Sequence, residues 1–256
     1  MCLRPIAELL AVVVPPVCAA CSSPLPRAEL LLCAVCTRAL PWLPRRACPR
    51  CALPFHRRAC PAAGAAFSRA WSPLAYDGVA RDLVAALKFR AALPLAGLMA
   101  AHMAANLPSD LRAPPADPVP ADHRRGPIDP DAVAGRRGLV DRDPVAIVAV
   151  PAQPARRRRR GFDPAGVLAV ALAGRLGVAR VDCLRRRDRG DRQVGASRSQ
   201  RRRSGRLTIE LRAPPPARAL LVDDVHTTGA TLDACARALL RGGCREVIAL
   251  TYARTL

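Results

Sequence analysis

Residues 217–240, ARALLVDDVHTTGATLDACARALL, constrain the fold most, because two carboxylates directly follow a continuous apolar run. An apolar run without polar alternation is typical of a strand buried on both faces of a parallel sheet. Hydroxyl residues and a glycine follow, and a second apolar stretch then has helical spacing over residues 231–240, before Gly242 and Gly243. The segment therefore predicts a strand, a short polar loop and a helix.

From residue 144 onward the chain alternates strands and helices in this way, and two further helices are predicted earlier in the chain. The predicted strands are 144–151, 181–186, 206–211, 217–224 and 246–253, and the predicted helices are 79–89, 164–176 and 231–240, with another helix beginning at Pro94. Strands without polar alternation that are joined by helices indicate a parallel sheet with helices on both faces. The sequence therefore predicts an α/β fold.

The polar loop after the strand has the composition of a sugar-phosphate site. Ligands of open α/β sheets bind beyond the carboxyl ends of the strands, where residues 223–231 lie. Gly229 permits a tight turn, and threonine hydroxyls together with free N–H groups at a helix start can bind phosphate oxygens. Two adjacent carboxylates suit a vicinal diol or Mg²⁺. The alternative is a capped helix after a strand that happens to end in acids.

The same residues resemble the signature for phosphoribosyl pyrophosphate (PRPP) of type I phosphoribosyltransferases. The resemblance implies that the two aspartates contact the ribose hydroxyls, with Mg²⁺ bound alongside PRPP, and that the threonine-rich turn holds the 5′-phosphate. The residues implied in PRPP binding are Asp223, Asp224, Thr227, Thr228, Gly229, Ala230 and Thr231. His226 is interpreted as a loop residue whose identity matters little, with a general base as the alternative, and no catalytic residue is assigned.

Two arginine-rich segments are predicted as loops. The first, AQPARRRRRGF at 152–162, follows the strand 144–151, where the resemblance places a pyrophosphate loop; the candidates are Pro151, Arg156, Arg157 and Arg160. The second spans 185–206 and is interpreted as a mobile lid or a nucleic-acid contact, with Arg198, Arg201, Arg202 and Arg203 as candidates. A solvated basic loop is the alternative for the first segment.

The charge balance favours polyanionic partners. Lysine and arginine number 41 against 20 acidic residues, giving a net charge of +21. Nucleic acid, phosphorylated metabolites and an anionic membrane surface all fit such an excess. Aromatic residues make up only 3% of the chain, which argues against a surface built mainly for base stacking.

Cysteine spacing in the first 60 residues predicts structural zinc. Cys18, Cys21, Cys33 and Cys36 form two CxxC pairs, the pattern of a four-thiolate zinc site. A second set contains Cys48, Cys51 and Cys60, with His56 as the candidate fourth ligand. Unligated or redox cysteines are the alternative. The isolated cysteines are interpreted as small buried residues: Cys2, Cys183, Cys235 and Cys244.

The cysteine usage and the apolar segments favour a cytoplasmic protein. Clustered CxxC pairs indicate metal ligands in a reducing compartment. The N-terminal apolar run contains Glu8 and is broken by Pro15 and Pro16, so we expect no cleaved leader. No stretch reaches the roughly 18–20 apolar residues of a membrane span.

Taken over nearly its whole length, the chain resembles the ComF family, which is associated with competence and DNA uptake. The resemblance rests on the cysteine pairs, Tyr76-Asp77-Gly78, Lys88-Phe89, Val150-Pro151, Arg160-Gly161-Phe162, Gln193 and the 223–231 motif. It implies a double zinc ribbon over residues 1–66 and a phosphoribosyltransferase-like domain over 67–256, with 108–143 as a flexible insertion. Implied partners are PRPP, single-stranded DNA and competence-machinery proteins.

The chain departs from the family pattern at three places: Asp163-Pro164, Ser204 and Ala63. Two functions stay open. The first is phosphoribosyl transfer from Mg²⁺–PRPP to an unknown acceptor. The second is non-catalytic binding of single-stranded DNA through the zinc ribbon and the arginine loops, with PRPP as a regulator or a vestige.

Overall fold

A parallel sheet forms the centre of the fold. The computed structural model describes residues 16–56, 58–111, 145–187 and 208–256. The strands of these residues are β1 Arg69–Trp71, β2 Leu74–Ala75, β3 Val145–Ala149, β4 Ala179–Arg180, β5 Leu184–Arg186, β6 Ile209–Leu211, β7 Arg218–His226 and β8 Glu246–Arg254. The sheet order is β1-β8-β7-β3-β4, with β2 also pairing with β8, and all of these pairs are parallel. The predicted α/β class is confirmed.

The strand order reverses direction next to β3. From β3 the chain passes to β4 on one side, and it later returns to β7 on the other side of β3. Connections that leave in opposite directions open a crevice beyond the carboxyl ends of the two strands. In this fold, the crevice lies between the residues after Ala149 and those at the end of β7.

Helices cover the sheet, and four were predicted from the sequence. The helices of the described residues are α1 Ala34–Arg38, α2 Gly78–Phe89, α3 Pro94–Asn106, α4 Pro154–Arg160, α5 Pro164–Leu176 and α6 Ala230–Arg241. The prediction for α5 is confirmed at both ends, because Asp163 caps its N-terminus and Gly177, with a φ of 66°, ends it. The predictions for α2, α3 and α6 are confirmed to within a residue at the ends that were predicted.

The predicted loop at 152–162 is wrong over most of its length, because residues Pro154–Arg160 form the helix α4. Arginine has a high helix propensity, and Pro154 occupies the first helical turn, where its missing N–H costs nothing. Gly161 then takes a left-handed φ of 79° and ends the helix. The loop was predicted from the charge of the arginine run, whereas Pro154 and Gly161 at its two ends are typical of a helix start and a helix end.

Successive side chains of β7 and β8 point to opposite faces of the sheet, and this divides the core into two layers. On β7, Leu220 and Val222 pack on one face with α2, α3 and α5. Ala219 and Leu221 pack on the opposite face with α6 and the antiparallel pair β5–β6. Both faces are therefore covered, as the continuous apolar strands predict.

The N-terminal cysteine segments contribute to both layers. Cys18, Cys36 and their apolar neighbours pack with α2 and α3. Cys51 and Phe67 pack with α6 and β8 on the other face. The predicted division of the chain at residue 66 stays a prediction, since these segments share their cores with the sheet.

Several predictions lie wholly or partly outside the described residues. Residues 112–144 and 188–207 lie outside the described ranges. They contain most of the predicted insertion and all four lid candidates, Arg198, Arg201, Arg202 and Arg203. Cys2 also lies outside. Among the helices that the structure describes, none is long and apolar enough to cross a membrane.

Candidate functional site

A cleft of about 220 Å³ lies at the crevice between β3 and β7. It brings together residues that the sequence analysis assigned to different parts of the ligand. The candidates that line it are Pro151, Arg156, Arg160, Asp223, Asp224, Thr227 and Thr231. Thr228, Gly229 and Ala230 form the turn between the last two of these residues. Carboxylates, hydroxyls and guanidinium groups thus share one cleft.

The acidic pair carries an internal hydrogen bond and one lysine partner. The Asp224 backbone N–H donates to Asp223 Oδ1 at 2.8 Å. Lys88 Nζ, on α2, donates to Asp224 Oδ1 at 2.8 Å. Burial raises the pKa of Asp223 well above its ordinary value, and the charge of Asp224 adds to the effect. The charge of Asp223 is therefore costly until a cation or further hydrogen-bond donors arrive.

The sequence analysis included Lys88 only in the Lys88-Phe89 motif and did not predict it as a site residue. A signal was present, since Lys88 is the sole lysine in a chain with 41 basic residues. Because arginine supplies all the others, this one lysine is noteworthy. Its compact ammonium reaches a single carboxylate oxygen, where a planar guanidinium would need more room.

The turn after β7 is shaped for an anion. Gly229 has a left-handed φ of 80° and is the N-cap residue of α6, so the N-cap itself supplies no side-chain acceptor. Thr228 Oγ1 accepts a hydrogen bond of 3.4 Å from the Ala230 N–H, and the side chain of Thr228 is exposed. The start of a 12-residue helix carries free N–H groups and a partial positive charge. This end of the cleft can bind a phosphate group.

His226 differs from its interpretation as an interchangeable loop residue. It is the last residue of β7, is 2% exposed, and packs edge-on to Phe67 with ring centroids 6.1 Å apart. A Cβ at Gly229 would lie 2.9 Å from His226 Nε2. Burial lowers the pKa of His226 to about 4, and the nearby charge of Arg254 adds to this shift. His226 is thus a neutral side chain that packs against the turn. A residue larger than glycine at position 229 would clash with it.

The pyrophosphate candidates divide between two clefts. Arg156 and Arg160 line the cleft with the acidic pair. Arg157 lines a neighbouring cleft of about 470 Å³, together with Arg180 and Arg212. Arg160 lies over the Phe89 ring, 5.1 Å from its centroid, and its buried Nε has no hydrogen-bond partner among the described residues. A buried guanidinium nitrogen without a partner fits a site that receives an anion.

Asp163, one of the departures from the family pattern, has a structural role. Its Oδ1 accepts hydrogen bonds from the N–H groups of Ala165 and Gly166, at 3.1 and 3.3 Å. Its Oδ2 accepts a hydrogen bond of 3.3 Å from the Ala152 N–H, in the loop after β3. Asp163 therefore caps α5 and fixes the wall of the cleft at the same time.

The first cysteine cluster has the geometry of a zinc site. The four Sγ atoms of Cys18, Cys21, Cys33 and Cys36 lie within 4.8 Å of one another, and Cys21 Sγ is 3.7 Å from Cys33 Sγ. A tetrahedral zinc ion with Zn–S bonds of ~2.3 Å requires sulfur–sulfur distances of about 3.8 Å. The N–H of Cys33 also donates to Cys18 Sγ at 3.4 Å, which stabilises a thiolate. These residues fit structural zinc.

The second cluster fits zinc with a histidine as the fourth ligand. The ligand atoms of Cys48, Cys51, His56 and Cys60 lie within 4.8 Å of one another, and Cys48 Sγ is 3.9 Å from Cys60 Sγ. His56 Nδ1 is 2.9 Å from the carbonyl oxygen of Arg58. Because a carbonyl only accepts, Nδ1 carries the proton, and Nε2 is left with its lone pair for a metal.

The three isolated cysteines that the structure describes are buried, as predicted. Cys183 and Cys235 have no exposed surface, and Cys244 is 4% exposed. Burial raises the pKa of each thiol. They pack as small apolar residues in the layer that contains α6.

Comparison with known families identifies both parts of the chain. A model of the phosphoribosyl transferase domain matches residues 142–255, and a model of the double zinc ribbon domain matches residues 9–68. The chain joins a double zinc ribbon to a phosphoribosyltransferase domain. The first match includes every predicted residue of the cleft but not Lys88, and the second includes both cysteine clusters.

One similar solved structure is titled the structure of the allosteric regulatory enzyme of purine biosynthesis. The two chains are 19% identical with a TM-score of 0.30, and the similarity covers 44% of this chain and 22% of that enzyme's chain. This chain therefore spans less than a quarter of that enzyme's length. No curated protein matches the chain.

Proposed function

We propose that the protein binds PRPP with Mg²⁺ in the cleft between β3 and β7 and transfers its phosphoribosyl group to a nucleophile. One observation carries the proposal: the acidic pair, the threonine turn and two arginines line a single cleft at the point where the strand order reverses. The match of this region to a phosphoribosyl transferase domain supports the same ligand.

Each group of side chains suits one part of PRPP. Asp223 and Asp224 accept hydrogen bonds from the ribose hydroxyls. Residues 227–231 bind the 5′-phosphate through threonine hydroxyls and the N–H groups at the start of α6. Arg156 and Arg160 form charge-assisted hydrogen bonds with the pyrophosphate. Mg²⁺, when bound, neutralises charge on the pyrophosphate oxygens.

The chemistry requires charge stabilisation more than a dedicated acid or base. The bond from ribose C1 to pyrophosphate breaks, and its electron pair leaves with the pyrophosphate. A lone pair of the nucleophile forms the new bond at C1, and the proton that the nucleophile loses passes to the departing pyrophosphate or to water. Arginine side chains at the departing oxygens, with carboxylates near the cationic sugar, stabilise both separated charges. Holding the two reactants in line contributes the rest.

Pyrophosphate release from PRPP tests turnover. The assay offers purine and pyrimidine bases and simple amines as nucleophiles to the zinc-loaded protein with Mg²⁺. We expect release that depends on one class of nucleophile and that the Asp224→Asn variant lacks. If PRPP binds but no nucleophile causes release, the enzymatic function is wrong and a PRPP-binding role is left.

We propose further that this is a ComF-type protein that acts in DNA uptake or processing. The order of the two domains, a double zinc ribbon before a phosphoribosyltransferase domain, supports this. The test is transformation frequency in a host strain that lacks the protein, with the wild-type gene returned as the control. An unchanged frequency would contradict the assignment.

Single-stranded DNA binding is the second candidate function, and α4 favours it. Residues Arg156–Arg159 are four consecutive exposed arginines on this helix. Binding through phosphates would weaken steeply as salt rises. We expect the double substitution Arg158→Ala and Arg159→Ala to reduce the salt dependence of DNA affinity while PRPP affinity stays unchanged, because neither side chain lines the cleft. DNA affinity that is insensitive to salt would contradict this function.

A further inference from the structure

Arg254 is a buried arginine that makes contacts in two different parts of the molecule. It is the last residue of β8 and is 6% exposed. Its Nε donates to the carbonyl oxygen of Cys51 at 2.9 Å. Its Nη1 donates to the carbonyl oxygens of His226, Thr227 and Thr255, at 2.8, 2.5 and 2.7 Å. A buried charge is tolerated only when it is well hydrogen-bonded, and here backbone carbonyls perform that role.

The acceptors connect the turn of the cleft with a metal cluster. Cys51 is a fully buried member of the second cysteine cluster. His226 ends β7, and Thr227 begins the turn and lines the cleft. A further hydrogen bond holds the same end of β7, because the Thr255 N–H donates to the His226 carbonyl at 3.0 Å. One guanidinium therefore spans from the metal cluster to the anion-binding turn.

The contacts of Arg254 determine how the turn presents its donors. In a planar trans peptide, the N–H points opposite to the C=O of the same unit. Because the carbonyls of His226 and Thr227 point at Arg254, the N–H groups of Thr227 and Thr228 point away from it. Arg254 is itself buried, so this direction leads away from a buried group. The orientation of these donors depends on where the guanidinium is held.

We infer that Arg254 is a positioning residue that couples zinc at the second cluster to 5′-phosphate binding at the turn. This inference rests on the proposed function. Zinc fixes Cys51, the Cys51 carbonyl fixes the guanidinium, and the guanidinium fixes the turn. Thermodynamic linkage makes the coupling reciprocal, so phosphate binding also tightens zinc binding at the second cluster.

The Arg254→Lys variant tests the positioning role. Lysine keeps the positive charge but has no planar fork, so it cannot reach Cys51 and Thr227 together. We expect the dissociation constants of ribose 5-phosphate and PRPP to rise by roughly tenfold, as the loss of one charge-assisted contact would produce. The dissociation constant of Mg²⁺–pyrophosphate should not change, because that ligand does not use the turn. A general loss of packing would weaken all three ligands.

Arg50→Lys is the matched control. Arg50 lies between Cys48 and Cys51 of the second cluster. In the contacts that are described, it donates only to backbone carbonyls, those of Ala62, Ala63, Ala65, Phe67 and Ser68. None of these carbonyls belongs to the turn. We expect this variant to leave the affinity of the zinc-loaded protein for ribose 5-phosphate unchanged. Equal weakening by both variants would overturn the inference.

A second measurement uses no Arg254 variant and so does not depend on whether one folds. Zinc release to a chelator is followed with and without saturating ribose 5-phosphate. We expect the ligand to slow the release of one zinc ion several-fold. The Cys21→Ser variant, which removes an exposed ligand of the first cluster, should retain the protected ion, because that ion belongs to the second cluster. Identical release with and without ligand would overturn the inference.

These outcomes separate the inference from the function on which it rests. If the wild type binds neither ribose 5-phosphate nor PRPP, the proposed function itself is wrong. If the wild type binds both and Arg254→Lys binds them equally well, the proposed function stands and the coupling through Arg254 is wrong.

Discussion

Lys88 and Asp224 form a hydrogen-bonded ion pair of 2.8 Å across 136 positions of the chain. The lysine lies near the end of α2, and the aspartate lies near the end of β7. The pair fixes α2 against the wall of the cleft and balances part of the charge of the acidic pair. It is partly buried, with side-chain exposures of 23% and 8%.

We expect Lys88→Met to lower the free energy of unfolding by about 2 kcal/mol, since it leaves a buried carboxylate without its partner. Denaturant unfolding measures the change. The matched control is Arg237→Met, which breaks the ion pair with Asp233, at 2.9 Å and more exposed. We expect a much smaller loss for that pair, because solvent screens exposed charges. Equal losses would contradict the view that burial gives the Lys88 pair its strength.

Asp223→Asn should stabilise the protein at neutral pH, by about 1 kcal/mol, while it removes PRPP binding. Because burial raises the pKa of Asp223, the folded state binds the proton more tightly than the unfolded state. The loss of folding free energy that the ionised Asp223 causes therefore grows as pH rises from the ordinary pKa of 3.8 through the raised pKa. Above the raised pKa this loss is constant.

Unfolding of wild type and Asp223→Asn at neutral pH and near pH 3.8 checks the sign. The advantage of the variant should be present at neutral pH and should shrink at the lower pH. The amide oxygen can still accept from the Asp224 N–H, so the local hydrogen bond is not the difference. A variant that is less stable at neutral pH would contradict the prediction.

Gly229→Ala should cost more stability than Gly177→Ala, although both glycines have left-handed φ values, 80° and 66°. A Cβ at 229 meets His226 Nε2 at 2.9 Å, whereas a Cβ at 177 meets nothing within 4 Å. The strained backbone costs roughly 1 kcal/mol at each position. Thermal unfolding of the two variants therefore measures the contact with His226 as a difference. No difference would mean that His226 moves aside freely.

The His56→Ala variant tests the composition of the second metal cluster. Native mass spectrometry of the wild type should show two zinc ions per chain, one for each cluster. The variant should keep one tightly bound zinc and lose the other to a chelator faster, because a structural zinc ion needs four ligands. Two ions held equally tightly in both proteins would exclude His56 as a ligand.

Short-range patterns in the sequence were sufficient for the three longest strands of the sheet, β3, β7 and β8, and for much of the cleft. Helix α5 was predicted at both ends because Asp163 and Gly177 act on adjacent backbone groups. The acidic pair and the threonine turn are contiguous, so their proximity follows from the sequence itself.

Contacts between distant segments could not be predicted in the same way. Lys88 meets Asp224 and Arg254 meets the Cys51 carbonyl across 136 and 203 positions, and only the tertiary fold brings them together. Strands β1, β2 and β4 were missed because they have three, two and two residues, too few to show a period. Helix α4 was missed because its composition resembled a solvated loop.

Calorimetric titration with Mg²⁺–PRPP tests the central claim most directly. The proteins are zinc-loaded wild type, Asp224→Asn and the control Glu246→Gln. Glu246 pairs with Arg218 at 2.7 Å, at the opposite end of the same two strands. We predict saturable binding to wild type and to Glu246→Gln, and none to Asp224→Asn. No binding to wild type, or equal binding to all three proteins, would contradict a PRPP site between β3 and β7.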